Sequence, residues 1–175
     1  ALKNNVSGLY NTALGESALT YNVAGSNGTA VGSGAMQLMN SSSTPFTDYN
    51  VAVGFEALRG SGTPANNTGN YNTACGYQSL WSVTAGNYNT ALGYQSLNSN
   101  TLGENNTAIG SYALYTNSSG LHNTAIGQSA LYSNSSGSFN IAVGTNTLLN
   151  NSTGIYNTAL GMESMQQNQT GSGNS

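Results

Sequence analysis

Charge is what this sequence lacks most, since two of its 175 residues are Lys or Arg and five are Asp or Glu. Binding to nucleic acid or to an anionic membrane surface requires clustered basic side chains, so nucleic acid is not expected as a partner. The apolar runs are only a few residues long, and no signal-like segment opens the chain. Direct insertion into a membrane is therefore not expected either.

The groups that carry chemistry are equally scarce. Cys75 is the only cysteine; it cannot form an intrachain disulfide, and it takes the place of an aliphatic residue in a repeated motif. We find no Ser, His and Asp set with a local catalytic motif, no carboxylate pair suited to a cleft and no Cys/His cluster with metal-ligand spacing. The sequence predicts a protein that is not an enzyme and has no cofactor and no metal site.

What the sequence does contain is a repeat. The element N-T-A-(L/I/V)-G and its close variants recur nine times, at steps of 17 residues or, twice, of 22. Such a short period is typical of stacked coils that bury their apolar faces against each other. We expect one solenoid domain over 1–175, and because both ends fall inside the repeat, a fragment of a longer fibre. The closing glycines are Gly15, Gly32, Gly54, Gly76, Gly93, Gly110, Gly127, Gly144 and Gly161.

The residue types within one unit predict its local structure. Asn106 to Gly110 has the alternating side chains of a short strand, and Tyr94 to Leu97 suggests a second strand after the glycine. A polar segment such as Asn117 to Gly120 suits the tight corner between units. Low complexity could also indicate disorder, but two apolar columns stay in phase along the chain. The sequence thus predicts an all-β fold, a parallel β-solenoid of about nine 17-residue coils.

The aliphatic residue of the repeat is expected to lie between chains. A lone coil with two large apolar residues per turn has a thin core for a chain of this length. We therefore predict a homotrimer, intertwined or side by side, with one aliphatic ladder from each chain at its axis. This ladder consists of Leu14, Val31, Val53, Cys75, Leu92, Ile109, Ile126, Val143 and Leu160.

The repeated motif resembles that of a known protein family. N-T-A-I-G is similar to the coil motif of trimeric autotransporter adhesin heads, and the run NYNTALGYQSLNSNTLGENNTAIGSYAL resembles repeats of bacteriophage tail fibres and bacterial surface fibres. The resemblance covers essentially the whole chain. It implies a left-handed trimeric β-roll located outside the cell, on a cell surface or in a virion fibre. The coil of 17 residues is longer than that of the adhesin heads, so no binding residue is carried over.

Two neighbouring coils each carry five extra residues, within 39–49 and 59–71. These segments hold both prolines and, in or beside them, Asp48, Glu56 and Arg59. Adjacent insertions should lie side by side, and a loop on a rigid scaffold is a common place for recognition residues. The alternative is a tolerated surface insertion with no task, since insertions in solenoids map to loops whether or not they bind.

Aromatic residues define a second candidate surface. The position before the repeat Asn holds Tyr10, Tyr49, Tyr71, Tyr88, His122, Phe139 and Tyr156, and a shorter outer column holds Trp81, Tyr115 and Tyr132. Such rings could stack on sugars, or simply cover a corner of the coil or the seam between chains. Together with the insertions they give the candidate ligand-binding residues, which are Asp48, Tyr49, Arg59, Asn66, Tyr71, Trp81 and Tyr88.

Three functions are compatible with these patterns. The first is a segment of an extracellular trimeric fibre that contributes to adhesion by recognising a receptor, in particular a cell-surface glycan. The second is a passive shaft that spaces a distal tip from its anchor. The third, more distant, is an ice-binding solenoid that uses the Thr column, although Val51 and Ile141 interrupt that single column.

Overall fold

The computed structural model describes residues 1–39 and 41–175, and its chain winds into a parallel β-solenoid. Within these residues, nine three-residue strands form one sheet in which each strand pairs in parallel with the strand of the next coil. The register is exact in the repeat, with Thr90, Ala91 and Leu92 opposite Thr107, Ala108 and Ile109. The predicted all-β solenoid of about nine coils is therefore confirmed.

The strands are short, and their bounds follow the repeated motif. The main sheet consists of β1 (Thr12–Leu14), β3 (Thr29–Val31), β5 (Val51–Val53), β6 (Thr73–Cys75), β7 (Thr90–Leu92), β8 (Thr107–Ile109), β9 (Thr124–Ile126), β10 (Ile141–Val143) and β11 (Thr158–Leu160). Two further strands, β2 (Gly25–Ser26) and β4 (Phe46–Thr47), pair with each other. A single turn of 3-10 helix covers Pro64–Asn66.

Side chains alternate across each strand. The central Ala points into the coil and is fully buried at positions such as Ala91 and Ala108. Its neighbours, the Thr and the aliphatic residue of the motif, point outward. Because Ala lines this wall of the interior, the opposite wall can approach closely, and the coil encloses no lumen wide enough for a ligand along this stretch.

The opposite wall of the interior is a leucine column. Its side chains lie four residues after each repeat glycine, are Leu except for Met36 and Met165, and are fully buried from Leu19 to Leu148, as at Leu97. The strand predicted at Tyr94 to Leu97 is wrong. Gln95 and Leu97 have φ angles of 50° and 51°, so this segment is a turn in the left-handed region. The Leu97 N–H still donates to the Ala113 carbonyl at 2.9 Å, which keeps the turns of successive coils stacked.

The glycine that ends each strand is required by its backbone. Gly110 has a φ of 131°, a conformation that L side chains rarely adopt. A Cβ atom at Gly110 would lie 2.6 Å from the carbonyl oxygen of Gly127 in the next coil. At this position the distance between stacked coils leaves room for a hydrogen atom on Cα but not for a Cβ atom.

The interior also contains polar ladders, which the sequence pattern did not reveal. The Asn of the motif is buried, and its side chain bonds to the coils on either side. Asn106 donates from its backbone N–H and from Nδ2 to Oδ1 of Asn89, at 3.0 and 3.1 Å, and from Nδ2 to the Gly120 carbonyl at 2.8 Å. A second buried column does the same at the far corner, where Asn117 Nδ2 donates to Asn100 Oδ1 at 2.8 Å. These bonds satisfy amides that would otherwise be costly to bury.

Candidate functional site

The two inserted loops, residues 39–49 and 59–71, lie side by side as expected; Asn40 of the first loop lies outside the described residues. Asn70 joins them. Its Nδ2 donates to the Thr47 carbonyl at 2.7 Å, and its Oδ1 accepts the backbone N–H groups of Tyr49 and Tyr71 at 2.7 and 2.8 Å. One amide therefore fixes the relative position of both loops.

The second inserted loop is built around Asn67. This side chain is fully buried, and its Nδ2 donates to the carbonyls of Leu38 and Ser61 at 2.8 and 3.0 Å. Its Oδ1 accepts both the N–H and the hydroxyl of Ser61. Asn66, the residue that the sequence suggested, is exposed on the 3-10 helix and does not organise the loop. Nothing in the sequence distinguished the two asparagines.

A cavity of about 430 Å³ opens between the two loops. Pro45, Phe46 and Thr47 line it from the first loop, and Pro64, Thr68 and Asn70 from the second, in a lining that contains no ionisable side chain. The structure places none of the seven candidate ligand-binding residues in this lining. The backbone N–H groups of Tyr49 and Tyr71 are bonded to Asn70, which does line the cavity.

The structure corrects the prediction that Asp48 is a ligand-binding residue. It is only 1% exposed, so it cannot meet a ligand at the surface. Its Oδ1 instead accepts the Asn50 N–H at 2.9 Å. In regular coils this N–H is accepted by the motif Asn one coil earlier, as Asn72 N–H is by Asn50. The earlier position is Gly28, which has no side chain, and Asp48 replaces the missing amide.

The aromatic column before the repeat Asn is present as two stacks. Tyr49, Tyr71 and Tyr88 stack with ring centroids 5.2 and 4.8 Å apart. The second stack consists of His122, Phe139 and Tyr156, whose neighbouring ring centroids are 5.0 Å apart in both cases. Asn105 occupies the position between the two stacks. The tyrosine rings of the first stack are about half exposed and face away from the interior. They offer a flat apolar surface beside the inserted loops.

Arg59 and Trp81 belong to a separate cluster around Glu56. Trp81 Nε1 donates to Glu56 Oε2 at 3.1 Å, and Arg59 Nε lies 3.4 Å from Glu56 Oε1. The Arg59 guanidinium carbon is 5.4 Å from the centre of the Trp81 ring. Their polar groups are thus partnered within the chain, on a part of the surface that does not line the cavity.

The predicted outer column of Trp81, Tyr115 and Tyr132 is only partly formed. Tyr115 and Tyr132 stack at 5.1 Å, whereas Asn98 takes the intervening position next to Trp81. Sequence analysis missed another column after the glycines, in which Tyr77 stacks on Phe55 at 5.3 Å and on Tyr94 at 5.1 Å. Tyr112 lies at the end of this column. The pKa of its phenol is raised, first by its interaction with the Tyr94 side chain, then by desolvation, and further by the phenols of Tyr115 and Tyr132.

The aliphatic ladder lies on the outer face of the sheet. Its members point away from the interior, and several are far more exposed than is usual for large apolar side chains: Leu14 by 66%, Leu92 by 47% and Leu160 by 76%. Val51 and Ile141 of the neighbouring Thr column extend the same apolar surface. Cys75 continues the ladder as a half-buried free thiol.

Other classes of site leave no trace in the described part of the chain. Among residues 1–39 and 41–175, no three His, Cys, Asp or Glu side chains are grouped so that they could hold a metal ion. The same residues include no helix of the length and apolarity needed to cross a bilayer. Comparison with known proteins finds no family model, no curated protein and no solved structure that matches this chain.

Proposed function

We propose that this chain is a non-enzymatic segment of an extracellular fibre, assembled from three copies, that contributes to adhesion through receptor recognition. The observation that carries the proposal is the exposed aliphatic ladder along the whole sheet. Soluble monomers rarely leave a continuous apolar surface of this length open to water. A second copy of the same face is the natural cover for it.

The free energy gained by burying the aliphatic ladder favours self-association. Covering partly exposed Leu, Ile and Val side chains contributes about 1 kcal/mol each, or on the order of 5–10 kcal/mol per chain over the ladder. Most coils have one outward aliphatic residue, and these residues form a narrow ridge along the sheet. Three such ridges can meet around a common axis, as the resemblance to trimeric fibres and adhesin heads implies.

Recognition is assigned to the inserted loops and the neighbouring aromatic stack. A shaft with no further task has no need to interrupt its period, whereas here two consecutive coils do so and form an open cavity between their loops. Both loops are held by buried or half-buried amides, which gives them a defined shape. Preorganised loops on a rigid scaffold are well suited to binding.

A passive shaft is the second candidate function. The coils from β6 to β11 follow one another at 17 residues without any insertion, and their regular stacking would give a stiff rod. This part of the chain could act as a spacer and nothing else. The two candidates differ only in what the inserted loops do.

The test is a mass measurement followed by a binding measurement on the purified chain. Light scattering is expected to give the mass of three chains, and a glycan array or binding to whole cells is expected to give a specific signal. A variant that lacks the five extra residues of each loop should keep the mass and lose the signal. A trimer that binds no glycan and no cell would support the shaft, and a monomer would contradict the fibre assembly.

A further inference from the structure

We propose that the cavity between the two inserted loops binds one uncharged pyranose unit of a glycan. This inference rests on the proposed adhesive function and assigns its site and ligand class. The volume of about 430 Å³ lies at the lower end of the range for small-molecule sites, about 300–1,000 Å³. It suits one sugar unit and not an extended chain.

The floor of the cavity is apolar and fixed. The Phe46 ring is half-buried, and it lies so close over Gly25 that a Cβ atom there would approach its Cζ to 2.5 Å. Strand β4 carries this ring and is hydrogen-bonded to β2 of the coil below. Pro45 of the first loop and Pro64 of the second line the same cavity. A pyranose presents C–H groups on one face, and an aromatic ring beside prolines is an apolar partner for that face.

The polar groups at the rim suit hydroxyl ligands. Thr47 and Thr68 are exposed, and their hydroxyls take part in none of the hydrogen bonds among the described residues. Each hydroxyl can both donate and accept, as sugar hydroxyls do. The Asn70 amide is already bonded to Thr47, Tyr49 and Tyr71. It therefore holds the frame and does not contact the ligand through a free donor.

Charge selects the class of sugar. The lining contains no ionisable side chain; Asp48 is buried in the coil, and Arg59 is engaged with Glu56 and Trp81. A sialic acid carboxylate or a sulfate would lose water in the cavity without gaining a cationic partner. Neutral hexoses and N-acetylhexosamines carry no such cost. The cavity should discriminate against anionic glycans.

The experiment uses the full chain on an array of neutral hexose and N-acetylhexosamine glycans beside sialylated and sulfated ones. The neutral methyl pyranoside that corresponds to the best signal is then titrated by calorimetry. We expect Phe46→Ala to weaken binding by about tenfold or more and Thr68→Val, which keeps the loop shape, by a few-fold. The matched control Tyr94→Ala alters a 45% exposed ring that lies outside both the cavity and the aromatic stack beside the loops, and should leave the affinity within about twofold.

Three results would overturn the cavity as the site. These are unchanged affinity in both Phe46→Ala and Thr68→Val, loss of binding in Tyr94→Ala alone, and a signal restricted to anionic glycans. Adhesion to cells separates this inference from the proposed function. A chain that adheres to cells but binds no neutral glycan retains the adhesive role and loses the sugar site, whereas a chain that does neither loses both.

Discussion

Oδ1 of Asn89 accepts two hydrogen bonds from Asn106 of the next coil, one from the backbone N–H at 3.0 Å and one from Nδ2 at 3.1 Å. Oδ1 of Asn106 in turn serves the N–H and Nδ2 of Asn123. The asparagine of the motif is therefore a structural bridge between three coils. It gives this nearly uncharged rod a polar spine in addition to its leucine column.

The spine predicts the effect of Asn106→Ala. The substitution removes the side-chain bonds to Asn89 and Gly120 and leaves the buried Asn123 N–H without its acceptor. We expect a loss of about 3 kcal/mol in the free energy of unfolding, measured by denaturant titration. Ser119→Ala is the control, because this exposed corner residue makes no side-chain hydrogen bond among the described residues. Equal stability of the two variants would refute the role of the ladder.

Asp48 gives a prediction with a rescue. Asp48→Ala removes the acceptor of the buried Asn50 N–H and should cost about 1–3 kcal/mol in unfolding free energy. Asp48→Asn retains an oxygen at that position and should cost less. Adding Gly28→Asn to Asp48→Ala restores the regular ladder residue and should recover stability, since Asp48 Oδ2, one of the two atoms that a Cβ at Gly28 would meet at 3.3 Å, is removed by the alanine and only Asn11 Oδ1 has to give way by a few tenths of an ångström. If the double variant is less stable than Asp48→Ala, the replacement model is wrong.

The glycines of the repeat predict a contrast between two alanine substitutions. Gly110→Ala introduces a Cβ at a φ of 131° and 2.6 Å from a backbone oxygen of the next coil, so it should cost about 3 kcal/mol or more. Gly62→Ala lies in the second inserted loop with no atom within 4 Å of the new Cβ. It should leave the melting temperature nearly unchanged. Similar melting temperatures for both variants would contradict the close stacking of coils.

The period was sufficient to predict the coils, because each N-T-A element supplies its own alternation and each glycine its own end point. The turn around Leu97 was not predictable in the same way. Its left-handed backbone is accompanied by a hydrogen bond between coils, from the Leu97 N–H to the Ala113 carbonyl, whereas the residue types Tyr, Gln, Ser and Leu alone are equally compatible with a strand.

The candidate site was less accessible to sequence reasoning than the fold. The adjacency of the loops followed from their adjacent coils, but the difference between Asn66, which is exposed, and Asn67, which is buried, depends on how the second loop closes. Asp48 reads as a surface charge unless one notices that Gly28 interrupts the Asn column one coil earlier. Phe46 became a candidate only once β4 placed it over Gly25.

Assembly through the aliphatic ladder is the central claim, and the mass of Ile109→Asp in solution tests it most directly. Ile109 lies on β8 in the middle of the sheet, and its side chain is on the outer face. A carboxylate there would be buried without a partner at the trimer axis. Sedimentation is expected to show three chains for the wild type and for the control Ser119→Asp, and one chain or an unfolded chain for Ile109→Asp. A mass and melting temperature of Ile109→Asp equal to those of the wild type would contradict the account.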